Sequence, residues 1–351
     1  MRLTLVAPVL LSALLVTGCK DKPVGRFWTA MDCNFAATIH GHGGKVPAEK
    51  ALDRLEAETR RLDAVFSDYS RYSPVQLLRG RKGDTVVVGP EIALVLRKAL
   101  VAMHVSGNAF DPGMHDLKQL WGIGTDLGHV PPADSVNMYT RWRFGFLPKP
   151  GDTLPEPFVV LPDDRVVLRT DSLPIDLGGI AKGYSVDRLS ALLDSLGWPV
   201  HLIQGGGEII VHGRKADGPW HVGIKNPRQL DTVVGVISLD STAAISTSGD
   251  YERFFEAKGV RYHHIFDPRT GHPSQNGTIS VTVRCPTSLD CDAFTKPFFV
   301  MGPARSRRLA DSLGLQAYWI REDGRGGMCS RSSGGWGGRV ETELPECPAD
   351  W

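Results

Sequence analysis

Apolar residues recur at helical spacing in several stretches of the chain. Between Pro47 and Phe66, Leu52, Leu55, Leu62 and Val65 share a face with charges between them, which predicts an amphipathic helix. Pro90 opens a second helix through Ile92, Leu96 and Leu100, ending before Gly107. A third runs through Val186, Leu189, Leu192, Leu193 and Leu196 to Gly197, and a short last one spans 304–313. From His201 onward the period shortens and turn residues recur. Strands are predicted over 201–204, 208–212, 221–225, 233–239, 263–266, 279–284 and 315–320, with a short one at 165–169. Residues 123–160, rich in Gly, Pro and Asp, read as a long irregular excursion. Residues 322–351, rich in Gly, Ser and Arg, read as a loose tail. The pattern is a mixed α/β (α+β) fold with one continuous body over 27–321.

The first apolar run predicts an address. Arg2 precedes an apolar stretch from Leu3 to Val16, too short for the ~20 residues a spanning helix needs, and then Thr17-Gly18-Cys19. This is a secretory signal over 1–18. Its end, Val16-Thr17-Gly18-Cys19, has the lipobox pattern of bacterial lipoproteins, in which Cys19 is acylated. Residues 19–26 then form a lipidated tether, and the expected location is the periplasmic side of the bacterial inner membrane.

Composition narrows the function classes. The 351 residues carry 40 Lys+Arg against 39 Asp+Glu, and losing Arg2 with the signal leaves the chain neutral. A polybasic nucleic-acid binder is excluded, because no excess positive field exists to condense onto phosphate. With 42% hydrophobic residues the chain is globular rather than disordered. After Cys19, Cys285/Cys291 and Cys329/Cys347 could close short loops in an oxidising compartment, leaving Cys33. The absence of C-x-x-C argues against a zinc knuckle.

Four clusters carry the candidate chemistry. Residues 176–183 (DLGGIAKG) place two glycines between a strand and a helix, where backbone N–H groups can approach an anion and Lys182 adds a charge. The spacing fits neither a Walker A loop nor a dinucleotide fingerprint, and Gly205-Gly206-Gly207 fails the latter too. Ala109-Phe110-Asp111-Pro112, upstream of Leu120-Trp121-Gly122, puts a carboxylate in a turn. Thr247-Ser248-Gly249-Asp250-Tyr251 strings hydroxyls before a glycine. His263-His264-Ile265-Phe266-Asp267-Pro268-Arg269-Thr270-Gly271 puts two histidines at a strand end, where only one can face a given pocket. Asp111, Asp176 and Asp292 are possible hard-metal ligands, or equally Asx turns and caps.

In this order, these segments resemble the ApbE-type FAD:protein FMN transferases over roughly residues 27–321. The resemblance implies a single body of two closely packed halves with FAD in the cleft between them. It implies transfer of FMN from FAD to a threonine or serine hydroxyl of a partner protein, with release of AMP and magnesium assisting. Met31, Tyr69, Ala109, Phe110, Asp111, Asp176, Lys182 and Ile265 fall at its nucleotide contacts. The Gly179 carbonyl, Asp292 and Thr295 fall at or beside its metal ligands, and His264 is the candidate base with His263 in reserve. The alternatives are hydrolysis of FAD to FMN and AMP, or FAD binding without catalysis.

One position departs from the family. Where its members read Asp-Ala-Leu-Ala-Thr, this chain reads Asp292-Ala293-Phe294-Thr295-Lys296, so a lysine stands at the threonine that binds metal. Thr295 lies one residue early, about 100° round a helix. Lys296 either turns outward while Thr295 substitutes, or leaves a metal site with fewer ligands, or marks a member that holds FAD without transferring it.

Overall fold

The computed structural model describes residues 22–41, 44–67, 70, 73–78, 83, 85–149, 151–169, 175–322, 326–336, 340–348 and 351. Cys19 and Tyr69, expected to be lipidated and to contact the nucleotide, lie outside them.

An eight-stranded sheet organises the chain. Its strands, in spatial order, are Val24–Ala30, Cys33–His40, Val200–Gly205, Glu208–His212, Ala243–Gly249, Thr278–Cys285, Gln316–Glu322 and Met328–Ser332. Every neighbouring pair is antiparallel. The first hairpin turns at Met31 and Asp32, both at positive φ (50° and 54°), as a two-residue primed turn requires.

Alternation along the strands separates two cores. Ala317 and Trp319 face one way, into the main core with helices α1 (Lys45–Phe66), α2 (Pro90–Val105), α5 (Ala181–Ser195) and α6 (Ser288–Ser312). Tyr318 and Ile320 face the other way, onto a three-stranded sheet of Trp220–Lys225, Val233–Leu239 and Val340–Thr342. A third cluster joins α3 (His115–Trp121) and α4 (Ala133–Phe144) through Leu117, Trp121, Val136, Tyr139 and Phe266. No helix among the described residues is long and apolar enough to cross a membrane.

Three expectations are corrected. The 123–160 excursion contains α4 and the strand Phe158–Val160, and α4 is anchored by Arg143 inside the protein. The tail is woven into the fold: Met328–Ser332 forms the sheet edge, Val340–Thr342 joins the small sheet, and Trp336 is buried. At the other end, the first strand begins at Val24, inside the expected tether. Disulfides link Cys285 to Cys291 and Cys329 to Cys347, and Cys33 is free.

The last helix is longer than the apolar pattern predicted because two prolines interrupt its signal. α6 runs from Ser288 and bends at Gly302 (φ 67°), with Pro297 and Pro303 inside it. Pro303 lacks the N–H that would bond the Phe299 carbonyl. Asn276 Nδ2 supplies it instead, donating at 2.8 Å to the carbonyls of Phe299 and of Val300.

Candidate active site

The site forms where α5 and α6 meet the glycine turn. The helices cap each other. Asp187 on α5 accepts the Ser288 and Leu289 N–H groups of α6 at 2.7 and 2.8 Å. In return, Asp292 on α6 accepts the Gly183 N–H of α5 at 2.9 Å. A side chain at Gly183 is impossible here, because a β-carbon would stand 2.4 Å from the Ser288 carbonyl oxygen.

Around this contact lie three carboxyl groups and three ammonium groups. Lys118 of α3 pairs with the buried Asp176, which also accepts the Gly178 N–H at 2.9 Å. Burial alone would raise the Asp176 carboxyl, but Lys118 and Gly178 overrule it and hold it below the usual range. Lys182 donates to the Gly178 carbonyl at 2.9 Å and lies 3.6 Å from Glu208. Burial opposes its charge, yet Asp292 and Glu208 keep the ammonium above its ordinary range. Lys296 rests on Asp292 Oδ1, one helical turn away on α6. Burial would push Asp292 up, and Lys182, Lys296 and the Gly183 N–H together hold it down. Glu208, buried at the start of its strand with Ser246 donating to it at 3.3 Å, is pushed up to about 7 by burial and then by the Asp292 charge.

The two histidines separate as alternation requires. His263 is buried: Nε2 donates to the Ser274 carbonyl at 2.9 Å and Nδ1 accepts the Ile265 N–H at 3.2 Å. Both nitrogens are occupied, so the reserve base is a bracing residue. His264 is half-buried, with Nδ1 3.3 Å from the Arg253 carbonyl. A carbonyl only accepts, which assigns the proton to Nδ1 and leaves the Nε2 lone pair available. Burial, then the Lys118 ammonium, press His264 well below the imidazole range, with Lys296 adding to the effect. The ring is therefore neutral at pH 7, with Nε2 unprotonated.

The other expected residues divide. Met31 sits at the tip of the first hairpin, beside Cys33, whose thiol is pushed up to about 12 by burial and which feels the charges of Lys182 and Glu208. Phe110 packs toward Gly179, where a β-carbon would stand 3.4 Å from its ring. Ala109 and Ile265 are buried core residues. Asp111 presents no carboxylate to a ligand: it is fully buried and holds Arg143 at 2.8 Å while accepting the Gly113 N–H. Arg269 braces its own turn through Asp267 at 2.7 and 2.8 Å. Trp121 donates to the Gly271 carbonyl at 3.0 Å, tying the Leu120-Trp121-Gly122 segment to the loop after the histidines.

Lys118 and Glu208 were missed by sequence reasoning. Glu208 follows three glycines, and Gly207 is forced by the Thr247 carbonyl, which a β-carbon would approach to 2.5 Å. That glycine run was the available signal. Lys118, on a seven-residue helix, had none.

The donor set at Asp292 does not fit a divalent cation. Both carboxylate oxygens are engaged, one by Gly183 and one by Lys296, which has not turned outward. Thr295 is wholly buried, with its hydroxyl donating to the Asp292 backbone carbonyl at 3.2 Å. Among the described residues, no group of three or more His, Cys, Asp or Glu side chains could hold a metal ion.

Residues 31–319 match the family model described as the ApbE family. An FAD:protein FMN transferase of Treponema pallidum (strain Nichols) is 32% identical over 287 residues, 78% of each chain. One from Escherichia coli (strain K12) is 28% identical over 325 residues, covering 90% of this chain and 87% of that one. The crystal structure of the ApbE protein from Thermotoga maritima matches with a TM-score of 0.77 at 27% identity, over 89% of this chain and 97% of that chain. Sequence, fold and the ordered motifs around one turn agree, and the chain belongs to the ApbE family.

Proposed function

We propose that this protein transfers FMN from FAD to a threonine or serine hydroxyl of a partner protein, releasing AMP. The carrying observation is the convergence, in an ApbE fold, of the glycine turn, the N-terminus of α5, the cations Lys118, Lys182 and Lys296, and a neutral imidazole. A pyrophosphate is the ligand that such a turn suits, through backbone N–H groups and point charges. His264 Nε2 takes the proton of the acceptor hydroxyl as its oxygen attacks the phosphorus on the FMN side, and the bond to the AMP phosphate oxygen breaks. Lys182, held at the glycine turn, would meet the negative charge of a pyrophosphate bound there, and Asp176 fixes Lys118 close to the same turn. No step runs through magnesium, because Asp292 is already satisfied.

The chain is further proposed to be anchored by lipid at Cys19 on the periplasmic side of the inner membrane. The lipobox supports this, and the two disulfides suit an oxidising compartment.

The test is to mix the purified chain with FAD and a threonine-bearing acceptor domain and weigh the acceptor by mass spectrometry. An FMN-sized gain with stoichiometric AMP is expected. Free FMN and AMP without an adduct would make the protein a hydrolase, and FAD recovered bound and intact would make it a carrier.

A further inference from the structure

We propose that Lys296 is the resident cation of this site: its ammonium, tethered to α6 and resting on Asp292, serves the FAD pyrophosphate in place of a divalent ion. This rests on the reading that FAD is the substrate.

Three observations carry it. First, Lys296 lies beside two of the residues expected to ligate a metal. Its ammonium is on Asp292, and its Cε is 3.9 Å from where a β-carbon on Gly179 would stand. Second, the pair is asymmetric: the Asp292 side chain has no exposed surface, whereas that of Lys296 is 17% exposed. The carboxylate is a buried counter-charge, whereas the lysine side chain that carries the ammonium keeps part of its surface exposed. Third, the surrounding charge leaves no deficit of cations, since burial pushes the Glu208 carboxyl up to about 7. Asp176 has Lys118, Glu208 has Lys182, and Asp292 has Lys296 along with the field of Lys182. A divalent ion at Asp292 would have to displace Lys296 or stand against two ammonium groups. A diphosphate, by contrast, adds negative charge where three lysines and a helix N-terminus converge. Lysine suits the task because its ammonium is a compact point charge with three donors.

Two titrations on the full chain test this. Manganese added without FAD and followed by electron paramagnetic resonance reads the cation site directly. FAD added in magnesium or in EDTA and followed by flavin fluorescence reads the ligand. The wild type is expected to show no saturable manganese site below millimolar concentration and an FAD affinity equal in both buffers within about twofold. Lys296→Met, which keeps the stem and removes the charge, should weaken FAD binding by about tenfold or more in both buffers, and Lys296→Arg should restore most of it. Lys296→Thr should acquire one manganese site and a magnesium-dependent FAD affinity. Thermal melts of each variant confirm that it is folded. One manganese bound per wild-type chain and lost in Asp292→Asn would overturn the proposal, as would EDTA weakening wild-type FAD binding tenfold or more. An FAD affinity unchanged in Lys296→Met would do the same. Failure of FAD to bind in any buffer would sink the transferase reading, while the manganese titration would still decide whether Lys296 holds the cation position.

Discussion

Two acid–base pairs in this protein have the same ingredients and opposite uses. Asp111 and Arg143 meet at 2.8 Å with neither side chain exposed. Asp292 and Lys296 meet on α6 with only the carboxylate sealed. The first pair is sealed from solvent, with Arg143 and the Gly113 N–H both donating to Asp111 Oδ1, and its work is to hold α4 against the turn at residues 110–113. The second is open on its cationic side and belongs to a ring of charges about a helix N-terminus. An aspartate becomes scaffold or site according to whether its partner leaves a face for a ligand.

The comparison can be broken from either side, and the largest effect should come from the closed pair. Asp111→Asn leaves a guanidinium buried without its counter-ion and should cost about 3–5 kcal/mol in urea unfolding. The transfer rate per folded molecule should stay near wild type. A variant that kept its stability but lost transfer would place Asp111 in the site.

On the open side, His264→Ala should lower the transfer rate ~10²–10⁴-fold while FAD affinity stays within a few-fold of wild type. Its one ring hydrogen bond is a long 3.3 Å, so the melting temperature should barely move. A rate within threefold of wild type would remove His264 from its role as base.

The smallest effect is an absence. His264 is held neutral well below the ordinary imidazole value of 6.5, so the transfer rate should not fall between pH 7 and about pH 6 through this group. A rate that halves near 6.5 would show that burial and the lysines do not hold the ring neutral. Stability carries the same sign. A histidine with a depressed folded pKa contributes fully above its unfolded value and loses that contribution as pH falls toward the folded one. For the fully buried His201, pushed from 6.5 to about 4 by burial, the loss runs across that window. Its size is on the order of 3 kcal/mol, readable as a falling urea midpoint that a neutral substitute at 201 would flatten.

Much of the fold was legible because its signals are local. α1 and α2 announce themselves by apolar spacing and, for α2, by Pro90 at its start. The strand Glu208–His212 occupies the residues the pattern predicted. The strand Ala243–Gly249 was read as a string of hydroxyls because it is buried on both faces, and a strand without a wet face shows no alternation. The hairpin at Val24–His40 escaped because its turn, Met31-Asp32, lacks the Asn-Gly signal that positive φ values usually leave in a sequence.

By itself, the sequence determined α1, α2, α5 and the later part of α6, several strands of the sheets, the glycine turn before α5, and the ordered motifs that place the chain in its family. These depend on spacing within a few residues, which the chain carries wherever it goes. Only the tertiary structure decided which charges meet. Arg143 reaches Asp111 across 32 positions, and Gly183 reaches Asp292 across 109. Nothing in the one-dimensional pattern distinguishes a carboxylate sealed by such a partner from one left to a ligand. Burial makes that choice, because inside the protein an unpaired charge is too costly to keep and every acid must find its partner as the chain closes.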